Sequence, residues 1–234
     1  GVSILFQTQE YQEIAEEFGM SLEEFEQKLK QVKAQLLEVR NRRIAPGIDD
    51  KILTGWNALM DAGLIQAYHA TGDQRMLDLA LANLNFIREK LEKDGVLHRS
   101  YKNGHAYTPA FLEDFAALIR AEIMAFEATG KVEYLDFAQT LADRCLEQFF
   151  DESDGFFFFN NPKSETLIAN KKEIFDNVIP ASNSIMARNL HRLGLLTYEE
   201  KYSQLAKNML GGMSDLVAKE PGFLANWGHL YLEN

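Results

Sequence analysis

The sequence predicts an all-α protein of stacked antiparallel helix hairpins, with short β-excursions between the hairpins. Three observations predict it. Apolar residues recur at helical spacing along most of the chain. The segment Ala70-Thr71-Gly72-Asp73 returns as Ala128-Thr129-Gly130-Lys131, 58 residues later. The residues that follow, Met76 to Ala80, align with Tyr134 to Ala138, and a further shift of 68 lands on Tyr202 to Ala206. A period near 60 residues with two long helices per unit is the signature of a helical array.

A leading helix is expected over residues 21–40. Ser21 opens it, and Glu23 and Glu24 sit in the first turn, where acids suit the positive end of the helix dipole. Leu22, Phe25, Leu29, Val32, Leu36 and Val39 form its apolar stripe. The stretch from Arg40 to Asp50 reads as a loop with basic residues first and acids last. Hairpins are expected at roughly 54–91, 110–149 and 182–218. In the first two, Thr-Gly makes the turn, because glycine supplies the left-handed residue that ends a helix. Asp94-Gly95 and Asp154-Gly155 mark turns after the second helix of a pair. Residues 96–101 and 156–159 then read as short strands, and Asn103-Gly104 as a hairpin turn. Residues 222–234 look like the start of a further hairpin. The whole chain, 1–234, is read as one domain truncated at both ends.

Composition narrows the function classes. Of 234 residues, 46% are hydrophobic, enough for a real core. The net charge of −11 repels phosphate backbones, so nucleic acid is not an expected partner. No apolar run is long enough for a membrane span. The single cysteine, Cys145, falls in an apolar helical pattern and reads as a buried, inert thiol; this usage fits a reducing compartment and a cytoplasmic location. His69, His98, His105, His191 and His229 lack metal-ligand spacing to one another or to Cys145, so no metal site is expected. No phosphate loop, dinucleotide fingerprint or nucleophile elbow is present, and no cofactor is expected.

The repeat offsets align Trp56, Asp114 and Ser182 near the starts of the three first helices. If the hairpins stack in parallel, the polar residues there meet on one rim with three helix-dipole positive ends. The candidates for acid and base are Asp50, Glu113, Asp114 and Asp176. The candidates for ligand binding are Asp49, Trp56, Asn57, His98, Tyr107 and Asn183. Glu113 and Asp114 interrupt an apolar run, the setting that raises the pKa of one member of a carboxylate pair and suits a general acid. Trp56 beside Asn57 fits a sugar platform next to a hydroxyl-binding amide. The plain alternative is that Thr54, Ser182 and Asn183 cap helices, that Glu113 and Asp114 are a buried pair satisfied by backbone amides, that Asp49, Asp50 and Lys51 form a local ion cluster, and that Trp56 is a core residue.

Three motifs in order carry a resemblance: Pro46-Gly-Ile-Asp-Asp-Lys-Ile-Leu-Thr-Gly-Trp-Asn57, Phe111-Leu-Glu-Asp-Phe-Ala116 and Asp176-Asn-Val-Ile-Pro-Ala-Ser-Asn-Ser184. The chain resembles, over nearly its whole length, the YyaL family of thioredoxin-domain-containing proteins related to spermatogenesis-associated protein 20. The resemblance implies an (α/α)6 toroid, similar to N-acylglucosamine 2-epimerases and six-hairpin glycosidases, preceded in the full-length protein by a thioredoxin-like domain. This chain departs from the family's Pro-Ser-Gly-Asn-Ser at Pro180 to Ser184, and from its Asp-Asp-Tyr-Ala at Glu113 to Ala116. The resemblance attaches no reaction; the first functional expectation is a carbohydrate-active enzyme, an epimerase or a glycoside hydrolase. The competing expectations are a non-catalytic sugar- or peptide-binding scaffold beside the thioredoxin-like domain, and an interaction module working through its outer faces. An open array with fewer than twelve helices leaves apolar edges, so self-association is also expected.

Overall fold

A computed structural model describes residues 6–163 and 170–233. The chain divides into two compact units, Gly1–Asp49 and Asp50–Asn234.

The first unit holds α1 (Tyr11–Glu17) and α2 (Leu22–Asn41). Ser21 starts α2 by a reciprocal pair: its Oγ accepts from Glu24 N at 3.3 Å, and Glu24 Oε2 accepts from Ser21 N at 2.9 Å. The apolar stripe of α2 is exposed at Val32, Leu36, Leu37 and Val39. The short α1 was not legible in the sequence, because only Ile14 and Ala15 give it an apolar face and only Ala15 is buried.

The second unit begins with β1 (Ile52–Leu53) and runs on as α3 (Thr54–Thr71) and α4 (Gln74–Lys90). Next come β2 (Glu92–Lys93), β3 (Val96–Lys102) and β4 (His105–Pro109). The second hairpin is α5 (Leu112–Thr129) and α6 (Val132–Gln148), followed by β5 (Phe150–Asp151) and β6 (Phe156–Phe157). The third is α7 (Ser182–Thr197) and α8 (Glu200–Lys219), followed by a single 3-10 turn and α9 (Ala225–Glu233). The strand expected at 156–159 is only two residues long. The Phe158 amide still bonds Phe149 O in the same register, and the Phe159 amide turns away to Lys171 O.

Helices α3, α5, α7 and α9 form an inner layer in which each packs on the next, and α4, α6 and α8 back them from outside. Sequence dictates the layering. Helix α5 lies between α3, α7 and α6, and buries a continuous run from Asp114 to Ile119. The outer helix α6 buries one face only, through Tyr134, Leu135, Ala138, Leu141, Ala142 and Cys145. Burial pushes the Cys145 thiol well above its ordinary pKa, consistent with an inert core residue.

The turns repeat atom for atom. Gly72 and Gly130 end α3 and α5 in the left-handed region, with φ of 72° and 69°. The preceding threonine donates to the carbonyl four residues back and accepts an amide two residues on, in both Thr71 and Thr129. Thr197 does the same, but the left-handed residue after it is Tyr198, which is why the third turn carries no glycine signal.

Strand β3 organises the first excursion. It pairs antiparallel with β1 at Ser100 and Tyr101, with β2 at Val96 and Leu97, and with β4 from His98 to Lys102. Asn103 and Gly104 both have positive φ, as a two-residue hairpin turn requires.

Between the layers sit buried charges. Both carboxylate oxygens of Asp61 in α3 accept from Asn83 Nδ2 at 2.9 Å. Glu122 of α5 forms a two-point pair with Arg88 of α4, whose guanidinium lies over the Tyr134 and Phe137 rings. Burial pushes each acid up to about 7, against the pull of its partner.

Candidate functional site

The inner helices begin at one rim, and the excursions and the loop before α7 are attached there. The repeat register puts Trp56 and Asp114 at the third residue of α3 and α5. It puts Ser182 at the first residue of α7. Helix α7 is two residues shorter at its start than α3 and α5, so its first residue, Ser182, keeps the register of their third, fifteen residues before the turn threonine.

Asp114 is 1% exposed and fully partnered. Its Oδ1 accepts from Gly55 N at 3.0 Å, tying the start of α3 to the start of α5. Its Oδ2 accepts from Phe111 N at 3.0 Å and from Arg99 Nη1 at 2.9 Å. Burial pushes the carboxyl up to about 6; Arg99 and the Phe111 and Gly55 amides pull it down, and Glu113 pushes it up. Gly55 has no side chain for a steric reason, since a Cβ there would lie 2.8 Å from Asp114 Oδ1.

Asp176 repeats this arrangement one hairpin later. Its Oδ1 accepts from Ala181 N at 2.8 Å and from Ser184 Oγ at 2.9 Å, and its Oδ2 accepts from Asn226 N at 2.8 Å. Asn226 is the second residue of α9, as Gly55 is of α3. Both acids therefore pin the start of a neighbouring inner helix. Asn183 is buried and also saturated: it exchanges two bonds with the Phe157 backbone and donates to Glu173 O at 2.9 Å. Asn57 donates to Leu53 O at 2.9 Å, and buried Thr54 donates to His98 O at 2.6 Å.

Glu113 faces outward. Its Oε1 accepts from Arg99 Nη1 at 2.6 Å, and its side chain is about a quarter exposed. It lines a cavity of about 360 Å³ together with Lys171, Glu173, Phe175, Asn177 and Ile179. Glu173 accepts from Lys171 Nζ at 3.0 Å and from Ser182 Oγ at 3.4 Å. Nothing in the sequence singled out Arg99, Glu173 or Asn226. Each acquires its place through a contact across 14 or more residues or through a loop, which periodicity does not register.

The remaining candidates do not line the Glu113 cavity. Trp56 is 67% exposed, so it is not a core residue, and Tyr107 of β4 is 37% exposed. Asp50 pairs with Lys102, which lowers its pKa. Asp49 lies in the first unit. The His98 ring shares a bond with Leu91 O at 3.1 Å and lines a separate cavity with Tyr101 and His105, away from the Glu113 cavity. Among the described residues, no three His, Cys, Asp or Glu side chains group closely enough to hold a metal ion. Among them, too, no helix is long and apolar enough to cross a membrane.

No protein-family model matches the chain. It is 29% identical to an uncharacterised protein of Caenorhabditis elegans over 90% of its own length and 30% of that protein. It is 27% identical to human spermatogenesis-associated protein 20 over 88% of its own length and 28% of the relative. The chain thus spans less than a third of the curated relatives it matches. Among solved structures it is similar to a GH76 α-mannanase of Bacteroides thetaiotaomicron, with TM-score 0.59, 21% identity, and 75% of this chain and 46% of that one covered. It is also similar to cellobiose 2-epimerase of Spirochaeta thermophila, with TM-score 0.56, 14% identity, and 70% and 43% covered. Unsaturated glucuronyl hydrolase of Bacillus sp. GL1 gives TM-score 0.57 at 17% identity, with 74% and 50% covered. These neighbours are carbohydrate-active enzymes with (α/α)6 toroids, and the architecture of this chain is of that type.

Proposed function

We propose that the second unit is part of a carbohydrate-binding toroid whose ligand meets the rim at the starts of the inner helices. The observation that carries this reading is the Glu113 cavity, which combines two carboxylates, Glu113 and Glu173, with apolar walls from Phe175 and Ile179. Sugars suit such a mixture, because carboxylates accept from hydroxyls while apolar side chains cover the C–H faces. Trp56 and Tyr107 add exposed aromatic surface on the same rim.

In this reading Glu113 is the carboxylate that meets the ligand, and Asp50 is the nearest alternative. Asp114 and Asp176 hold the helix starts in register, as Asn183 and Asn57 do for the adjoining backbone. Glycoside hydrolysis or epimerisation would employ Glu113 as acid or base. The same reading assigns a thioredoxin-like domain as the partner of this toroid, a cytoplasmic setting, and a second copy against its open apolar edges.

Trp227 is fully buried and Trp56 exposed, so tryptophan emission changes on ligand addition report on Trp56. Titrating the chain with neutral mono- and disaccharides should quench that emission. Glu113→Gln should abolish any turnover while leaving quenching within about threefold, the scale of one neutral hydrogen bond. Turnover that persists in Glu113→Gln would remove it from the chemistry, and no quenching by any sugar would contradict the rim reading.

A further inference from the structure

Midway along the inner helices, on the face turned away from α4, α6 and α8, lies a cavity of about 210 Å³ lined from α3, α5, α7 and α9. Three arginines and two glutamates line it: Arg120, Arg188, Arg192, Glu127 and Glu233. Arg192 Nε donates to Glu127 Oε1 at 2.9 Å. Arg188 donates to Glu233 Oε1 at 2.7 Å and to Asn226 Oδ1 at 3.0 Å. Each glutamate is therefore matched to one arginine.

Arg120 is left over. Among the described residues it makes no hydrogen bond and no ion pair, although it is partly buried. Its neighbour Arg188 repels it, and the Arg188 Nε–H is buried with no acceptor. Burial first, and the Arg188 charge second, hold the Arg120 guanidinium below the ordinary arginine range. A partly buried cation beside a second cation and an orphaned donor is costly unless a counter-charge arrives. The two glutamates leave the cavity with one net positive charge.

We infer that this cavity is a binding site for a single oxyanion group, a carboxylate or a phosphate, carried by a small ligand and held between Arg120 and Arg188. Planar guanidinium forks suit such groups. At about 30 Å³ per water, the cavity has room for about seven waters, enough for the anionic group and part of the ligand that bears it. Asn226 connects this site to the rim, since it accepts from Arg188 while its backbone amide donates to Asp176. The inference stands on the charge count and does not rest on the rim carboxylates.

The test is isothermal titration of the chain with glucuronate, inorganic phosphate and glucose at fixed ionic strength. Binding of glucuronate or phosphate but not of glucose is expected at this site. Arg120→Gln should weaken it about 10- to 100-fold, the range for a lost charge-assisted hydrogen bond. Arg120→Lys should retain part of the affinity, and Arg144→Gln, at a residue of the outer helix α6 that pairs with Glu92 of β2, should retain all of it. Equal binding of phosphate and glucuronate assigns the site to oxyanions in general; binding of glucuronate alone assigns it to acidic sugars. Absence of binding by both anions, or anion affinity unchanged in Arg120→Gln, overturns the inference. Glucose quenching Trp56 while both anions fail to bind would overturn this site and leave the rim reading standing.

Discussion

The starts of the inner helices and the middle of the same helices treat polar side chains in opposite ways. At the starts, Asp114 and Asp176 each accept three hydrogen bonds, two of them from backbone amides. Every oxygen has a donor and every pinned amide an acceptor. In the middle, among the described residues, Arg120 has no acceptor, and Arg188 keeps an orphaned Nε. A balanced polar group holds the fold together. An unbalanced one in a cavity is where a ligand completes the count. On this comparison the rim acids that look most catalytic in the sequence are those most committed to structure.

Four substitutions test that division. The largest effect belongs to Asp114→Ala. It orphans the Gly55 and Phe111 amides and removes a partner of Arg99, so it should cost about 3–5 kcal/mol in urea unfolding; a loss below about 1 kcal/mol would mean that Asp114 is not a structural anchor. Next is Asp61→Asn. The Asp61 pKa is raised from its ordinary 3.8 to about 7, so the folded state holds its proton where the unfolded state releases it. The stability tied to that proton is complete below about pH 4 and is lost as pH rises through about 7. Asp61→Asn should therefore match the parent at pH 4.5 and exceed it by roughly 2 kcal/mol at pH 7.5, measured as paired unfolding curves. A mutant that falls below the parent at pH 7.5 would show that the Asn83 bonds outweigh burial.

Gly55→Ala should follow at about 1–2 kcal/mol destabilising, because the added methyl meets the Asp114 carboxylate rather than open space. The smallest is Arg120→Gln. Removing an unpaired cation should shift stability by less than about 0.5 kcal/mol, and upward if at all, in the absence of ligand. A clear loss of melting temperature would give Arg120 a structural partner and erase the contrast between the two regions.

Much of the fold was legible because it is local and periodic. The Thr-Gly turns, the offset of 58 residues and the apolar spacing place α3 to α6 directly. The third hairpin was reached only by extrapolation, since Tyr198 takes the left-handed position that glycine occupies elsewhere. The site was legible in outline only. Helix starts advertise polar residues, so Glu113, Asp114, Asp176 and Asn183 stood out. Their roles depend on which backbone amide each reaches, and Asp114 meets Gly55 across 59 positions of sequence. Arg120 and Arg188 carry no signal at all, because each is one charged residue on an amphipathic helix. The packing of α5 against α7 brings them together.

The contrast itself can be read in one spectrum. Side-chain Nε–H resonances of the arginines, followed by NMR during a glucuronate titration, report each guanidinium separately. The account predicts that Arg120 and Arg188 shift together and saturably, while Arg99, held by Glu113 and Asp114, stays in place. Saturable shifts of Arg99 with Arg120 and Arg188 unmoved would contradict it.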